Sequence, residues 1–495
     1  MAELHYINIG PEGTFQASGE VHSTPEDVKQ IIAHIEQGNN DRIALFVHGG
    51  LVNESAGLES ARRFRDVFAG ANTHGVSLIW ETGWWETIQK NLSDVFSTEL
   101  FQWIVEKVVE KVVGHFTGLG VGGRGSVKVA AADLLSDPTV DETFAEQVRS
   151  RAQQLSAKNL DDWRDEMEAE LEEEIEDPKF QALYDDPLQR TPRFDDPALE
   201  VHADPKSPQA RSPLALLLMA KKFASVAWRV GKRFLNGRDH GLHATAVEEV
   251  FREFYLTDLL KKLEWDNMKQ SAREMWRPND GLVGSTQHAG TYLVEQLIAL
   301  KQRRPNLTVD LVAHSAGAIV VCEMFAALGQ RYPGKLPIRN VIFLAPACTS
   351  QLFYTNVLSG TQQLGDFYML TMPDSLERRD AVLRPALSAL RFVYPSSLLY
   401  VISGMLEEEV DAPVLGMVRF GIGKSPFDSS GLQKIRDYLA TSGKERLTLS
   451  SEDGPPPANK IASRATSHGA FSSDETTMKS IQLILNRSNA PMPSP

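Results

Sequence analysis

Residues 308–325 decide the fold of this 495-residue chain, and their sequence is Thr308-Val-Asp-Leu-Val-Ala-His-Ser-Ala-Gly-Ala-Ile-Val-Val-Cys-Glu-Met-Phe325. The first part of the stretch is rich in aliphatic and β-branched residues, which predicts a short buried strand. In the second part, apolar residues recur at helical spacing. These residues are Ala318, Ile319, Cys322 and Phe325. The stretch therefore predicts a strand, a sharp turn that carries Ser315, and an apolar helix.

Small residues surround Ser315 in the segment Ala313-His-Ser-Ala-Gly317. This segment nearly matches the pattern G-x-S-x-G, in which a serine lies on a strained strand-to-helix turn. The flanking residues must be small because the helix returns so close to the strand that larger side chains would collide. Ala313 departs from the first glycine of the pattern. We predict that Ser315 is a nucleophile; the alternative is that it only caps the helix.

The composition indicates a globular protein, with 42% hydrophobic and 23% charged residues. A net charge of −14 argues against a general nucleic-acid binder, because phosphate affinity depends on clustered Lys and Arg. The two cysteines, Cys322 and Cys348, lie in apolar runs and predict buried free thiols in a reducing compartment. We see no secretory signal and no membrane-spanning stretch, and expect a cytoplasmic protein.

Strand and helix patterns alternate on both sides of a long interruption. An apolar strand from Arg42 ends in His48-Gly49-Gly50, and a helix and a second strand follow. Continuous apolar runs are typical of parallel strands that are covered on both faces. The remaining predicted elements are a helix at Gly290–Arg303, strands at Asn340–Ala345, Phe367–Met372 and Arg446–Ser450, and a helix at Glu475–Leu485. The sequence thus predicts an α/β fold with a mostly parallel sheet.

The interruption divides the chain into three predicted segments: core residues 1–84, a mainly helical and partly disordered insertion at 85–285, and core residues 286–495 with a flexible C-terminal tail. Within the insertion, Leu100–Phe116 is strongly apolar and Pro213–Phe234 is apolar with a basic face. The first helix could form a lid over an acyl pocket or contact a membrane, and the second resembles an interfacial helix that could contact a membrane. Packing within the protein is favoured for both.

Three further groups complete a possible catalytic site. Asp374 directly follows the predicted strand Phe367–Met372, so it lies at the same edge of a parallel sheet as Ser315. His468 occupies a loop before the last helix. The turn His48-Gly49-Gly50 can direct backbone N–H groups toward the serine. We interpret His48 and His314 as structural residues.

These motifs, in the order His-Gly-Gly, Ser315, Asp374 and His468, resemble the α/β-hydrolase serine esterases and lipases. The resemblance covers residues 40–84 and 286–486. It implies an α/β-hydrolase fold in which Ser315 is the nucleophile, His468 the general base and Asp374 the acid that orients it. The oxyanion would be held by the N–H of Ala316 with that of Gly50 or Leu51. The segment His-Gly-Gly-Leu departs from the His-Gly-Gly-Gly of the family.

Some assignments have alternatives. Asp374 is also a favoured helix cap, in which case Asp380, Asp366 or Glu377 would orient the base. His468 could instead be a surface histidine.

The resemblance predicts a serine hydrolase that cleaves carboxylic, lipid-like or acyl esters through an acyl-enzyme, without cofactor or metal. The alternatives are a peptidase or amidase on the same fold, and a non-catalytic interaction protein. We expect a small-molecule or lipid-like ester as partner and no nucleic acid. Peripheral membrane contact is not favoured, and the oligomeric state is not predicted.

Overall fold

The computed structural model describes residues 5–17, 19–38, 40–50, 54–80, 92–117, 138–152, 157–175, 177–186, 213–254, 265–382, 394–454 and 459–487. The strands are β1 (Tyr6–Ile9), β2 (Arg42–Val47), β3 (His74–Trp80), β4 (Thr308–His314), β5 (Ile338–Leu344), β6 (Leu364–Thr371) and β7 (Leu447–Leu449).

The α-helices are α1 (Pro25–Gln37), α2 (Glu54–Gly70), α3 (Glu99–Thr117), α4 (Pro138–Ala152), α5 (Ala157–Ile175), α6 (Pro178–Asp185), α7 (Pro213–Leu235), α8 (Leu242–Phe254), α9 (Asp266–Glu274), α10 (Ala289–Arg303), α11 (Gly317–Arg331), α12 (Ser350–Phe353), α13 (Asp374–Glu377), α14 (Leu398–Val401), α15 (Ser430–Leu439) and α16 (Glu475–Asn486). Single 3-10 or π turns lie at Pro11–Gly13, Gly284–Thr286, Tyr354–Leu358, Ile402–Leu406, Val418–Gly421 and His468–Ser472.

The strands form one sheet in the order β1-β3-β2-β4-β5-β6-β7, and each described pairing is parallel. The predicted α/β class, a largely parallel sheet flanked by helices, is confirmed. β4 lies at the centre of the sheet between β2 and β5. Because all strands run the same way, the residues that follow β2, β4, β5 and β6 meet at the same edge.

The strands are held by apolar packing on both faces. One buried cluster joins strand residues to α2 and α16, and within it the rings of Phe46 and Phe64 stack with centroids 3.5 Å apart. Side chains alternate between the two faces along a strand, so the strand residues next to those of the cluster point to the opposite face of the sheet. On that face α11 contacts β2 and β4. Burial on both faces explains why the central strands have continuous apolar sequences instead of alternating ones.

The chain forms two compact units. The first comprises Met1–Thr87, Leu263–Glu377 and Pro413–Pro495, and the second comprises Ile88–Lys262 and Arg378–Ala412. The sheet belongs to the first unit. Helices α3 to α8 belong to the second.

The second unit buries the apolar residues of its helices, among them Phe101 and Trp103 of α3. Four basic residues of α7, the helix predicted to be apolar with a basic face, form ion pairs with acids of α5 and α8. The pairs are Lys221–Glu168, Lys222–Glu253, Arg229–Glu249 and Arg233–Glu248. None of the helices described is long and apolar enough to cross a membrane. Most of the predicted disordered stretch and the C-terminal tail lie outside the described residues.

Gly317, the first residue of α11, lies against the backbone at the end of β2. A Cβ at this position would lie 2.4 Å from the carbonyl oxygen of Val47 and 2.8 Å from that of His48. Both atoms belong to the backbone and cannot rotate away. We expect Gly317→Ala to lower the free energy of unfolding by roughly 1–3 kcal/mol, the usual cost of overpacking.

Thermal unfolding followed by circular dichroism measures this cost. Gly421→Ala is the matched control, because a Cβ at Gly421 meets no atom within 4 Å. Equal melting temperatures for Gly317→Ala and the wild-type chain would contradict the prediction that a Cβ at position 317 collides with the backbone of Val47 and His48.

Candidate functional site

Ser315 lies on the turn between β4 and α11, with a φ of 53° that is uncommon for a residue with a side chain. Its backbone is fixed by β5 and the segment that follows: its N–H donates to the carbonyl of Leu344 at 2.9 Å, and its carbonyl accepts from Ala347 at 3.0 Å. Ala345, the residue that follows β5, also has a positive φ, of 41°. Backbone strain is therefore concentrated at this edge of the sheet, as is common at active sites.

His468 brings its imidazole to Ser315 from a turn located 153 residues later in the chain. Its Nε2 lies 2.7 Å from Ser315 Oγ, within hydrogen-bonding distance. The side chain is buried, and Phe471 of the same turn belongs to the apolar cluster on the sheet. Burial, followed by the nearby His314 ring, lowers the pKa of His468 well below its ordinary value of 6.5. The imidazole is thus neutral near pH 7 and can accept a proton.

His314, the last residue of β4, connects this strand to the loop that carries His468. Its Nε2 donates to the carbonyl oxygen of His468 at 3.0 Å, and the two rings stack with centroids 5.3 Å apart. Burial lowers the pKa of His314 to about 4, so its ring is neutral and can remain in this contact at neutral pH. His314 therefore positions His468 through its backbone.

The turn after β2 lies directly against the serine. A Cβ at Gly49 would be 2.8 Å from Ser315 Cβ, so only glycine fits. Gly50 follows in the same buried turn. Ala316 precedes the first residue of α11, where backbone N–H groups lack partners within the helix. Leu51, the other predicted oxyanion donor, lies outside the described residues.

His48 fixes the shape of this turn. Its Nδ1 donates to the carbonyl of Gly49 at 2.7 Å, and its Nε2 accepts from the backbone N–H of Trp80 at 3.3 Å. The indole N–H of Trp80 also donates to the His48 carbonyl at 3.2 Å. These contacts require a neutral ring, and burial lowers the pKa of His48 to about 4.

Two acids lie in α13, the short helix that follows β6. Asp374 is its first residue and half-buried, whereas Glu377 is its last residue and fully buried. Leu376, between them, belongs to the same apolar cluster as Ala465 and Phe471, which flank His468 in sequence. The cluster thus joins α13 to the segment that carries the base. Asp374 and Glu377 both remain candidates for the acid that orients His468.

The other two predicted acids are Asp366 and Asp380. Asp366 is the third residue of β6, near the end of the sheet opposite to Ser315, and forms an ion pair with Lys444 at 2.6 Å. Its position argues against a role in orienting His468. Asp380 belongs to the second unit.

Sequence reasoning brought Ser315 and His468 into one site but did not identify the tasks of His314 and Gly49. One signal in the sequence could have indicated the position of His314: it directly precedes Ser315 in the chain, so it lies at the same edge of the sheet as Ser315 and the loop of His468. In the parts of the chain that are described, no three His, Cys, Asp or Glu side chains are arranged to hold a metal ion. Comparisons with protein-family models, curated proteins and solved structures give no match.

Replacing His314 tests its positioning role. His314→Leu leaves the buried carbonyl of His468 without its donor, which costs about 1–3 kcal/mol, whereas His314→Gln supplies another N–H. We expect a fluorophosphonate to label Ser315 roughly tenfold more slowly in the Leu variant, with recovery in the Gln variant. Wild-type labelling rates in a folded Leu variant would show that His314 only fills space.

The pH dependence of labelling tests the lowered pKa of His468. A base must be neutral to accept the serine proton, and a lowered pKa keeps it neutral in more acidic solution. We expect the labelling rate to fall with a midpoint below pH 6.5 as the pH is decreased. A midpoint above 6.5 would show instead that a carboxylate near the ring outweighs the effect of burial.

Proposed function

We propose that the chain is a serine hydrolase of the α/β-hydrolase type that cleaves carboxylic esters. The observation that carries this proposal is the 2.7 Å contact between Ser315 Oγ and His468 Nε2. Three features support it: the positive φ of Ser315, the buried glycine turn beside it, and the chain order of serine, acid and histidine. A serine that merely capped a helix would need none of these.

The reaction begins with proton transfer within this pair. His468 Nε2 accepts the hydroxyl proton while Ser315 Oγ forms a bond to the ester carbonyl carbon, and the carbonyl oxygen becomes an oxyanion. The imidazolium then gives the proton to the leaving oxygen as the ester C–O bond breaks, which leaves an acyl-enzyme. Water then attacks the acyl carbon while His468 Nε2 accepts its proton. The imidazolium returns that proton to Ser315 Oγ as the bond between the acyl carbon and Oγ breaks, which releases the carboxylic acid.

The oxyanion is assigned to backbone N–H groups on two sides of Ser315. Ala316 lies at the N-terminus of α11, where the helix dipole favours negative charge. Gly50 would contribute from the turn after β2, which His48 and Trp80 hold in place. Loss of one such donor typically lowers turnover about 100- to 1,000-fold.

The lipid-like or acyl substrate class rests on the resemblance to esterases and lipases. The apolar residues of α3, including Phe101 and Trp103, are buried and therefore do not form an open acyl surface. An amidase would use the same groups but expel an amine. Rates on matched p-nitrophenyl esters and p-nitroanilides distinguish the two, and we expect faster cleavage of the esters.

Labelling with a fluorophosphonate tests the proposal, because the probe reacts with activated serines. We expect the wild-type chain to be labelled, and Ser315→Ala and His468→Ala to lose labelling. Circular dichroism confirms that each variant is folded. Absence of wild-type labelling, or equal labelling of Ser315→Ala, would contradict the catalytic reading and favour an interaction protein.

The same assay identifies the acid. Asp374→Asn and Glu377→Gln each remove one carboxylate from α13, and loss of the orienting acid typically lowers turnover about 10⁴-fold. We expect the loss for Asp374→Asn. Asp366→Asn is the matched control in β6, because Asp366 pairs with Lys444 away from the serine. A loss in Glu377→Gln alone would assign the role to Glu377.

A further inference from the structure

A cavity lies in the first unit beside β6 and β7. Its volume is about 360 Å³, within the range of small-molecule sites. Its walls come from the two strands, from α15 and from residues 415–422, and they are mainly apolar. Lining residues include Met369, Leu415, Met417, Ile435 and Leu447. Of the described residues that line it, none belongs to the Ser315–His468 pair, the glycine turn or α13.

Two large apolar side chains that line the cavity are strongly exposed. They are Ile422 at 58% and Leu447 at 38%. β7 is an edge strand among the described strands, and Leu449, 43% exposed, follows Leu447 by two residues and so points to the same face of the sheet. Exposed apolar side chains beside an apolar cavity extend the surface that an apolar ligand can contact.

Arg436 supplies the charge in this apolar wall. Its ion pair with Asp437 is long, at 3.6 Å, and Asp437 is 74% exposed, so the pair contributes little. The guanidinium lies against Gly423, where φ is +68° and a Cβ would collide with it. Arg436 is among the residues that line the cavity, so its guanidinium can form paired hydrogen bonds with a carboxylate there.

We propose that this cavity binds a medium-chain aliphatic carboxylate. The methionine and leucine side chains surround the alkyl chain, and Arg436 binds the carboxylate at the mouth. The cavity has its own polar anchor and lacks the groups proposed for ester cleavage, so the ligand is bound and not cleaved. This inference is independent of the proposed hydrolase activity.

Titration calorimetry of the full chain with decanoate, and with decanol as its neutral counterpart, tests the inference. We expect decanoate to bind at one site and Arg436→Gln to weaken it about tenfold or more, since a charged pair is lost. Decanol should bind more weakly than decanoate and show no dependence on Arg436. Lys434→Gln is the matched control on α15, because Lys434 is exposed and bonds the hydroxyl of Tyr354.

A second variant places a bulky side chain at the cavity. Gly421 lines it, and a Cβ there meets no atom within 4 Å, so Gly421→Phe introduces a ring beside the cavity without a clash at Cβ. We expect this variant to lose decanoate binding. The inference is overturned if decanoate does not bind, if Arg436→Gln binds it as tightly as the wild type, or if decanol binds equally well. Arg436→Gln carries the test alone if Gly421→Phe does not fold.

Discussion

The structure depends on how closely three backbone segments meet at one edge of the sheet. The turn after β2, the turn after β4 and the start of α11 approach within distances that exclude a Cβ at Gly49 and at Gly317. Because interiors are packed to crystal-like density, such contacts leave little freedom for the residues beside them. The strained backbone of Ser315 is maintained by its surroundings, with β5 and the following segment holding its N–H and carbonyl groups. The backbone geometry of Ser315 is thus a property of the whole sheet.

Much of this could be predicted from sequence because it is local. Parallel strands that are buried on both faces have continuous apolar runs, and the turn around Ser315 needs small residues that stand next to each other in the chain. The ends of elements were less predictable: β4 continues through His314, beyond the apolar run, because its ladder with β5 extends to that residue. The end of β4 is therefore set by its hydrogen bonding to β5 and not by the polarity of its side chains.

Contacts between distant segments could not be predicted. The hydrogen bond from His314 to the backbone of His468 joins residues 154 positions apart, and no sequence pattern in either segment predicts it. The second unit gives a stronger example. Both ring nitrogens of buried His240 lie against carboxylates, Glu248 at 2.8 Å and Asp411 at 2.7 Å, and Arg233 pairs with Glu248. A buried polar network of this kind is stable only when its members satisfy one another, so its existence follows from the assembled fold.

The separation of Ser315 from His468 along the chain also has a consequence for synthesis. Ribosomes make proteins from the N-terminus, and domains fold as their residues become available. A nascent chain that ends before residue 468 contains the serine but not the imidazole that lies 2.7 Å from it in the finished protein. An unassisted serine hydroxyl is a weak nucleophile. Truncated products of interrupted translation that lack His468 would therefore carry Ser315 without the base proposed for it, and labelling of the serine under this proposal would report that the chain extends through that loop.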